Sequence, residues 1–374
     1  MKLFKSPHPH HSLQRYLGGV AILAATYFIV GKAGLMLAFV HPSATAVWPP
    51  AGITLAAFLL LGNRIWPGIF LGAFLVNITT AGSFATSTCI AMGNTLEGFA
   101  GAYLVRMFAN GPNAFDRAKD ILNFVIAAPI LSTTISATIG VTSLALGGFA
   151  SWTSYGSIWA TWWLGDAVGI LVIAPMLLLW SVTRVWQWKP KQVVEGILLI
   201  LALFVAGQAV FGGWLPLEVK TYPLEIIDIP VIIWAAFRFD QREIATGIFI
   251  LSGIALWGTL HGYGPFVGRS PHESLLLLQV FLGITTLMAF SAAAVVSERR
   301  KLVRDLQDTL AHVKTLTGLL PICAWCKKIR DDKGYWKEVE AYVHEHSDAA
   351  FSHGVCPDCL IKYKSEVLRH RRGQ

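Results

Sequence analysis

The sequence predicts an all-α polytopic membrane protein with eight to ten transmembrane helices, ten preferred, followed by a small C-terminal α+β domain. Three observations carry that prediction. The 374 residues are 54% hydrophobic and only 14% charged, whereas soluble domains are about 25% charged. A soluble fold of this composition would lack the polar side chains to cover its surface, and disorder needs the opposite composition. Charge is also concentrated: residues 297–374 hold 15 Lys/Arg and 11 Asp/Glu, as many as the first 296. Finally, four of the five cysteines stand in two C-x2-C pairs near the end, so the terminal domain reads as zinc-ribbon-like.

Ten apolar stretches recur along the chain, at residues 16–40, 48–62, 65–80, 84–105, 120–147, 157–180, 193–212, 223–237, 244–262 and 274–296. The second, third and eighth fall short of the roughly 20 residues a perpendicular span needs. Eight spans result if two short segments are re-entrant. This gives four divisions: an N-terminal segment 1–15, a membrane body 16–296, a connecting helix 297–320 and a cysteine domain 321–374.

Loop charges test the count independently. Lys2, Lys5 and Arg15, then Arg64, then Arg106, Arg117 and Lys119, then Arg184, Lys189 and Lys191, then Arg238 and Arg242 fall on one side. The intervening loops hold only Lys220 and Arg269. Twelve basic residues against two, under the positive-inside rule, place both termini in the cytoplasm. The expected location is a membrane that the chain crosses many times, and the first partner is the bilayer itself. A basic start before an apolar run also resembles a signal peptide, but nine further spans follow it. His8, His10 and His11 form a cluster that is read as a basic terminus before it is read as a metal site.

Ionisable side chains at membrane depth are functional candidates by default. Here they are Lys32, Glu97, Asp166, Glu225, Asp228 and His261, with Asn77 and Asn94 adding neutral polarity. Asn94, Glu97 and Gly101 share one helix face, and so do Trp162, Asp166 and Gly169. Gly93, Gly98 and Gly101 allow close helix approach. Lys32 pairing with an acid, fixing the bundle, is the structural alternative. The break Trp48-Pro49-Pro50-Ala51-Gly52, and a second around Pro223 to Pro230, free backbone carbonyls, which is tolerated in lipid only beside protein or a cavity.

Three blocks then look familiar: "AVWPPAGITLAAFLLLGNRIWPGIFLGAFLVN", "GNTLEGFAGAYL" and "TWWLGDAVGILVIAPMLLLW". They resemble the membrane-associated sensor (MASE) domain of the first type, over roughly residues 15 to 297. Trp48, Pro49, Pro50, Gly52, Asn94, Glu97, Trp163, Asp166, Gly169 and Pro175 carry the resemblance. It implies a sensory input module of bacterial signalling proteins, commonly joined to kinase, cyclase or phosphodiesterase domains. It implies no particular ligand, so the stimulus is an unknown small molecule or membrane state.

Beyond the last span no proline occurs between Pro271 and Pro321, so the helix can continue. Leu302, Leu306, Thr309, Val313, Leu316 and Leu320 follow heptad spacing. A coiled coil in a homodimer is expected, against a lone amphipathic helix packed on the tail. Cys323, Cys326, Cys356 and Cys359 supply four thiolates for a tetrahedral structural zinc, which a tail with so small a core would need. A redox switch, with Lys327 and Lys328 lowering thiolate pKa, and another metal remain open; His353 could replace a cysteine. "IRDDKGYW" reads as a turn between short strands, and Trp336, Val339 and Val343 fall on one helix face. The run from Leu316 to Cys359 resembles a short cysteine-rich module at the ends of bacterial response regulators and PAS-type sensors, for which no reaction is implied.

No P-loop, kinase box, GGDEF or EAL signature is present. The expectation is a sensor that is not an enzyme, contacting a cytoplasmic signalling protein through helix and tail. A small-molecule transporter using the Glu97/Asp166 cavity is the alternative. Nucleic acid is disfavoured, because the tail's basic residues are scattered among acids, apart from Arg369 to Arg372.

Overall fold

A computed structural model of the chain describes residues 9–36, 38–41, 44–80, 82–181, 190–214, 224–267, 270–312, 320–331, 333–347 and 349–371. Two compact units emerge, one ending at Arg299 and the other beginning at Arg300.

The first unit is a helical bundle. Helix α1 (Pro9–Leu35) leads into a short antiparallel hairpin, β1 (Ala38–His41) and β2 (Ala44–Thr45). Then come α2 (Pro49–Leu61), α3 (Trp66–Ile78), α4 (Phe84–Phe108), α5 (Ala118–Val125) and α6 (Thr133–Leu146). Next are α7 (Tyr155–Ser181), α8 (Pro190–Phe211), α9 (Asp228–Arg238), α10 (Gln241–Leu260) and α11 (Pro271–His312). Each of the ten apolar stretches thus contains helix, although the first runs on into β1 and the fifth is divided by the turn between α5 and α6. Among the described residues, six helical segments are long and apolar enough to cross a membrane: Leu13–Leu35, Ala118–Leu146, Trp152–Ser181, Pro190–Phe211, Gln241–Leu260 and His272–Leu310. The chain is therefore a multi-pass membrane protein.

The short helices are short for visible reasons. At 13 residues α2 is roughly 20 Å long against a hydrocarbon core of about 30 Å. Pro49 and Pro50 fill its first turn, where the missing N–H groups cost nothing. Nine of its residues are buried, so it is a central helix rather than a lipid-facing one. Its last turn presents the Phe58 carbonyl to the Arg106 guanidinium, which also donates to Asn63 Oδ1 at 3.0 Å. A cation at that end suits the helix dipole.

The segment just before α2 is packed into the bundle. Thr45, Ala46 and Val47 are buried. The Trp48 N–H donates to the Gly165 carbonyl at 2.9 Å, and Gln279 of α11 donates to the Ala46 carbonyl at 2.8 Å. Extended backbone at this depth survives because protein, not lipid, meets its carbonyls. Glycines permit the approach: a Cβ on Gly165 would strike the Thr45 carbonyl, and one on Gly169 the Trp48 carbonyl. On α4, a Cβ at Gly98 would collide with Thr54 and at Gly101 would lie 2.8 Å from Ser132 Oγ. The small-residue face of α4 brings helices together as its spacing predicts.

Between α5 and α6 the chain forms a π-helical turn at Ile126–Ser132 that contains Pro129. Proline cannot donate an N–H, and the widened turn accommodates its ring. The hydroxyls of Ser132 and Thr133 donate to the Ala128 and Pro129 carbonyls at 2.9 and 2.6 Å.

The second unit holds a two-stranded antiparallel sheet, β3 (Ile329–Arg330) with β4 (Trp336–Lys337), and helices α12 (Val339–His346) and α13 (Pro357–Arg371). Asp331 Oδ1 accepts the N–H groups of Lys333 and Tyr335 at 3.1 and 2.8 Å, which closes the turn. These bonds hold the Asp331 carboxyl below its usual pKa. Trp336 lies on β4, not on the helix face expected with Val339 and Val343; the turn at Gly334 (φ +89°) leads directly into this second strand of the hairpin. Ile329 and Tyr342 are the buried apolar residues among those described here.

Candidate functional site

Five parts of the membrane unit converge on one buried polar centre. Asn94 and Glu97 come from one face of α4, and Trp162 and Asp166 from one face of α7. Tyr27 comes from α1 and Ser136 from α6, where the Pro129 turn sets the helix phase. Thr45 and Trp48 come from the buried segment that precedes α2.

A hydrogen-bond relay links them. Trp162 Nε1–H donates to Ser136 Oγ at 3.1 Å, Ser136 donates to Asn94 Oδ1 at 2.6 Å, and Asn94 Nδ2 donates to the Tyr27 hydroxyl at 2.9 Å. The carboxyls lie beside this relay. Asp166 is 1% and Glu97 2% exposed. Each is the other's neighbour, with Ser136 next to both. Both oxygens of Asp166 and Oε1 of Glu97 accept no hydrogen bond within the described residues. No lysine, arginine or histidine is among the groups acting on either carboxyl. Asp166, Asn94, Trp162, Trp48, Thr45 and Asn77 line a cavity with room for about one water molecule.

The other intramembrane candidates are elsewhere. Among the described residues Lys32 pairs with no acid: its ammonium donates to the Thr79 carbonyl and Thr80 Oγ1, both at 3.0 Å. A helix end offers carbonyls within reach of the flexible lysine stem. Asp228 is fully buried at the start of α9, with neither oxygen bonded within the described residues. The side chain of Glu225 lies outside the described residues, as do those of His8, His10 and His11. His261 stacks on Trp257 at the exposed end of α10.

The motif residues divide by role. Trp48 lines the cavity, while Pro49 and Pro50 start α2. Gly52 and Gly169 form the reciprocal contact between α2 and α7. Trp163 turns away and donates to the Ile130 carbonyl at 3.1 Å; its neighbour Trp162 is the one at the centre. Tyr27, Ser136, Thr45 and Gln279 were not marked by sequence. Of these, Gln279 had the available signal, as an amide within an apolar span; its Nε2 donates to the Ala46 and Thr161 carbonyls at 2.8 and 3.3 Å.

In the second unit the four cysteines form two pairs. Main-chain N–H groups of the Cys326 turn, and the Cys326 thiol, lower the pKa of Cys323. The Cys359 N–H reaches Cys356 Sγ at 3.4 Å and lowers that thiol likewise. Lys327 takes a left-handed φ of +63° to close the first turn. The soft thiol donors of each pair fit zinc, but no three His, Cys, Asp or Glu side chains gather into one cluster among the described residues.

The MASE1 family profile matches residues 20–300, a span that contains the whole buried centre. Probable diguanylate cyclase DgcE of Escherichia coli (strain K12) is 24% identical over 245 residues, covering 64% of this chain and 20% of that protein. The chain thus spans a fifth of the length of this relative. No solved structure matches it. With the profile covering three quarters of the sequence and its helices bearing out a multi-pass bundle, the chain belongs to the MASE1 family of membrane-associated sensor domains.

Proposed function

We propose that this protein is a bacterial inner-membrane signal transducer in which the Glu97/Asp166 centre is the input and α11 the relay. Its helices span the membrane ten times, with both termini in the cytoplasm. The observation that carries the reading is a single element. Gln279, on α11, ties the segment before α2 to α7 beside the buried centre, and the same helix continues to His312. A change of packing at the centre therefore reaches a continuous helix that leaves the bundle, a candidate for the two-state element that signalling requires. Near its end Leu302 and Leu306 are 69% and 60% exposed in the single chain. That supports a homodimer paired along this helix. Val313 and Leu316, which would extend the seam, lie outside the described residues.

The output is a contact with a cytoplasmic signalling protein, not a reaction catalysed by this chain. The four-cysteine unit takes zinc at Cys323, Cys326, Cys356 and Cys359, which staples a unit with very few buried apolar residues. The similar Escherichia coli protein is named a probable diguanylate cyclase, which supports a signalling role for this one.

The test replaces residues 321–374 with a diguanylate cyclase catalytic domain and measures cyclic di-GMP in cells. Glu97→Gln and Asp166→Asn should change output at equal membrane abundance. Unchanged output, together with solute flux into liposomes that depends on these two residues, would establish the transporter alternative instead.

A further inference from the structure

We propose that the cavity beside Asp166 and Glu97 binds a single dehydrated hard cation, of the sodium or calcium kind. The inference deepens the sensor reading and rests on its assignment of the buried centre as input. Four features of the site lead to it.

The first is a deficit of donors. Three carboxyl oxygens are buried without a hydrogen bond. Trp162 and Ser136 lie beside Asp166, but the Trp162 N–H is aimed at Ser136 and the Ser136 hydroxyl at Asn94, as the Asn94 amide is at Tyr27. A buried carboxylate without a partner is costly, and in native structures such a group signals something that binds there. The second is sign. Two carboxyls face each other with no basic side chain acting on either, so the missing partner is positive. The third is size. A cavity with room for about one water excludes any organic cation and admits one bare ion. The fourth is donor type. Carboxylate, amide and hydroxyl oxygens suit hard cations. Magnesium, which sheds its waters reluctantly, fits poorly, whereas calcium accepts irregular all-oxygen shells.

The site also has a route to the relay. Trp48 and Thr45 line it, and the segment they belong to hangs on Gln279 of α11 through the Ala46 carbonyl. Gln279 Oε1 is itself buried without a partner. An ion drawing the carboxyls together shifts α4 against α7, and with them the segment that α11 holds.

A proton shared between Glu97 and Asp166 is the competing occupant, and the experiment separates the two. The full-length protein in nanodiscs is titrated at fixed pH with sodium, calcium or magnesium chloride, choline chloride holding the ionic strength constant. Tryptophan fluorescence, to which Trp48 and Trp162 at the cavity contribute, and the melting temperature are read. A saturable response to sodium or calcium, absent with choline and weak with magnesium, is expected. Glu97→Gln and Asp166→Asn should each raise the apparent Kd at least about 10-fold, since even groups outside the first shell of a metal site cost 10–100-fold. Identical curves in every salt for the unmodified protein overturn the proposal, whether or not the variants fold. So does a response to pH alone that no salt alters. If the salts do nothing while Asp166→Asn still changes cyclase output in the fusion, the cation fails and the sensor reading stands.

Discussion

Gly169 and Gly52 show how single residues set this architecture. Each stands where the backbone of the facing helix leaves no room for a Cβ, and on Gly169 the obstacle is the Trp48 carbonyl itself. A backbone atom cannot rotate away as a side chain can, so Gly169→Val must push α2 off α7. Overpacking of this kind costs about 1–3 kcal/mol. The expected result is a lower melting temperature and weakened Trp48 packing, read by thermal unfolding in detergent. Gly253, beside which a Cβ meets nothing within 4 Å, should tolerate alanine and serves as the comparison. The acidic residues of the centre were legible in the sequence because charge in an apolar run has few innocent explanations. Ser136 was not, since a serine hydroxyl in a membrane helix is commonly satisfied by its own backbone, and neither was Tyr27, whose largely apolar ring is unremarkable in an apolar run. Only the folded bundle shows that Ser136 bonds Trp162 and Asn94 instead.

Among the elements, helices were readable wherever hydropathy ran unbroken, and less so where the backbone departs from regular form. The extended stretch before α2 and the π-turn at Pro129 depend on neighbours. Carbonyls in these two irregular stretches, of Ala46, Ala128 and Pro129, accept from the side chains of Gln279, Ser132 and Thr133, and no local pattern announces which. Trp336 was misplaced for a related reason: a spacing of three and four marks a helix face, yet here a strand abuts the helix. In the tail, each C-x2-C turn brings its two thiols together through local main-chain bonds, which is what the spacing alone can encode. Joining the two pairs needs a ligand. Purified full-length protein should therefore carry about one zinc per chain, as four-cysteine sites do. Substituting all four with serine should abolish it and lower the stability of the tail. Metal-free protein with an unchanged tail would exclude the zinc reading.

At the scale of the whole molecule, the distribution of charge is the strongest statement the sequence makes. Arg64 and Arg106 stand at the same end of the bundle, joined through Asn63 and the Phe58 carbonyl near the α2 C-terminus, in keeping with the charge rule. Topology reporters fused at Gly148 and Lys220 should read outside and at Lys189 inside; the reverse would overturn the orientation. Coupling between the buried centre and the exposed end of α11 is the central claim. It is tested most directly with a genetically encoded photocrosslinker at Leu306, in full-length protein in native membranes, comparing the unmodified centre with Asp166→Asn. The account predicts dimer adducts at Leu306 whose yield changes in the variant at equal expression. Adducts of equal yield in both proteins, or none in either, would contradict it.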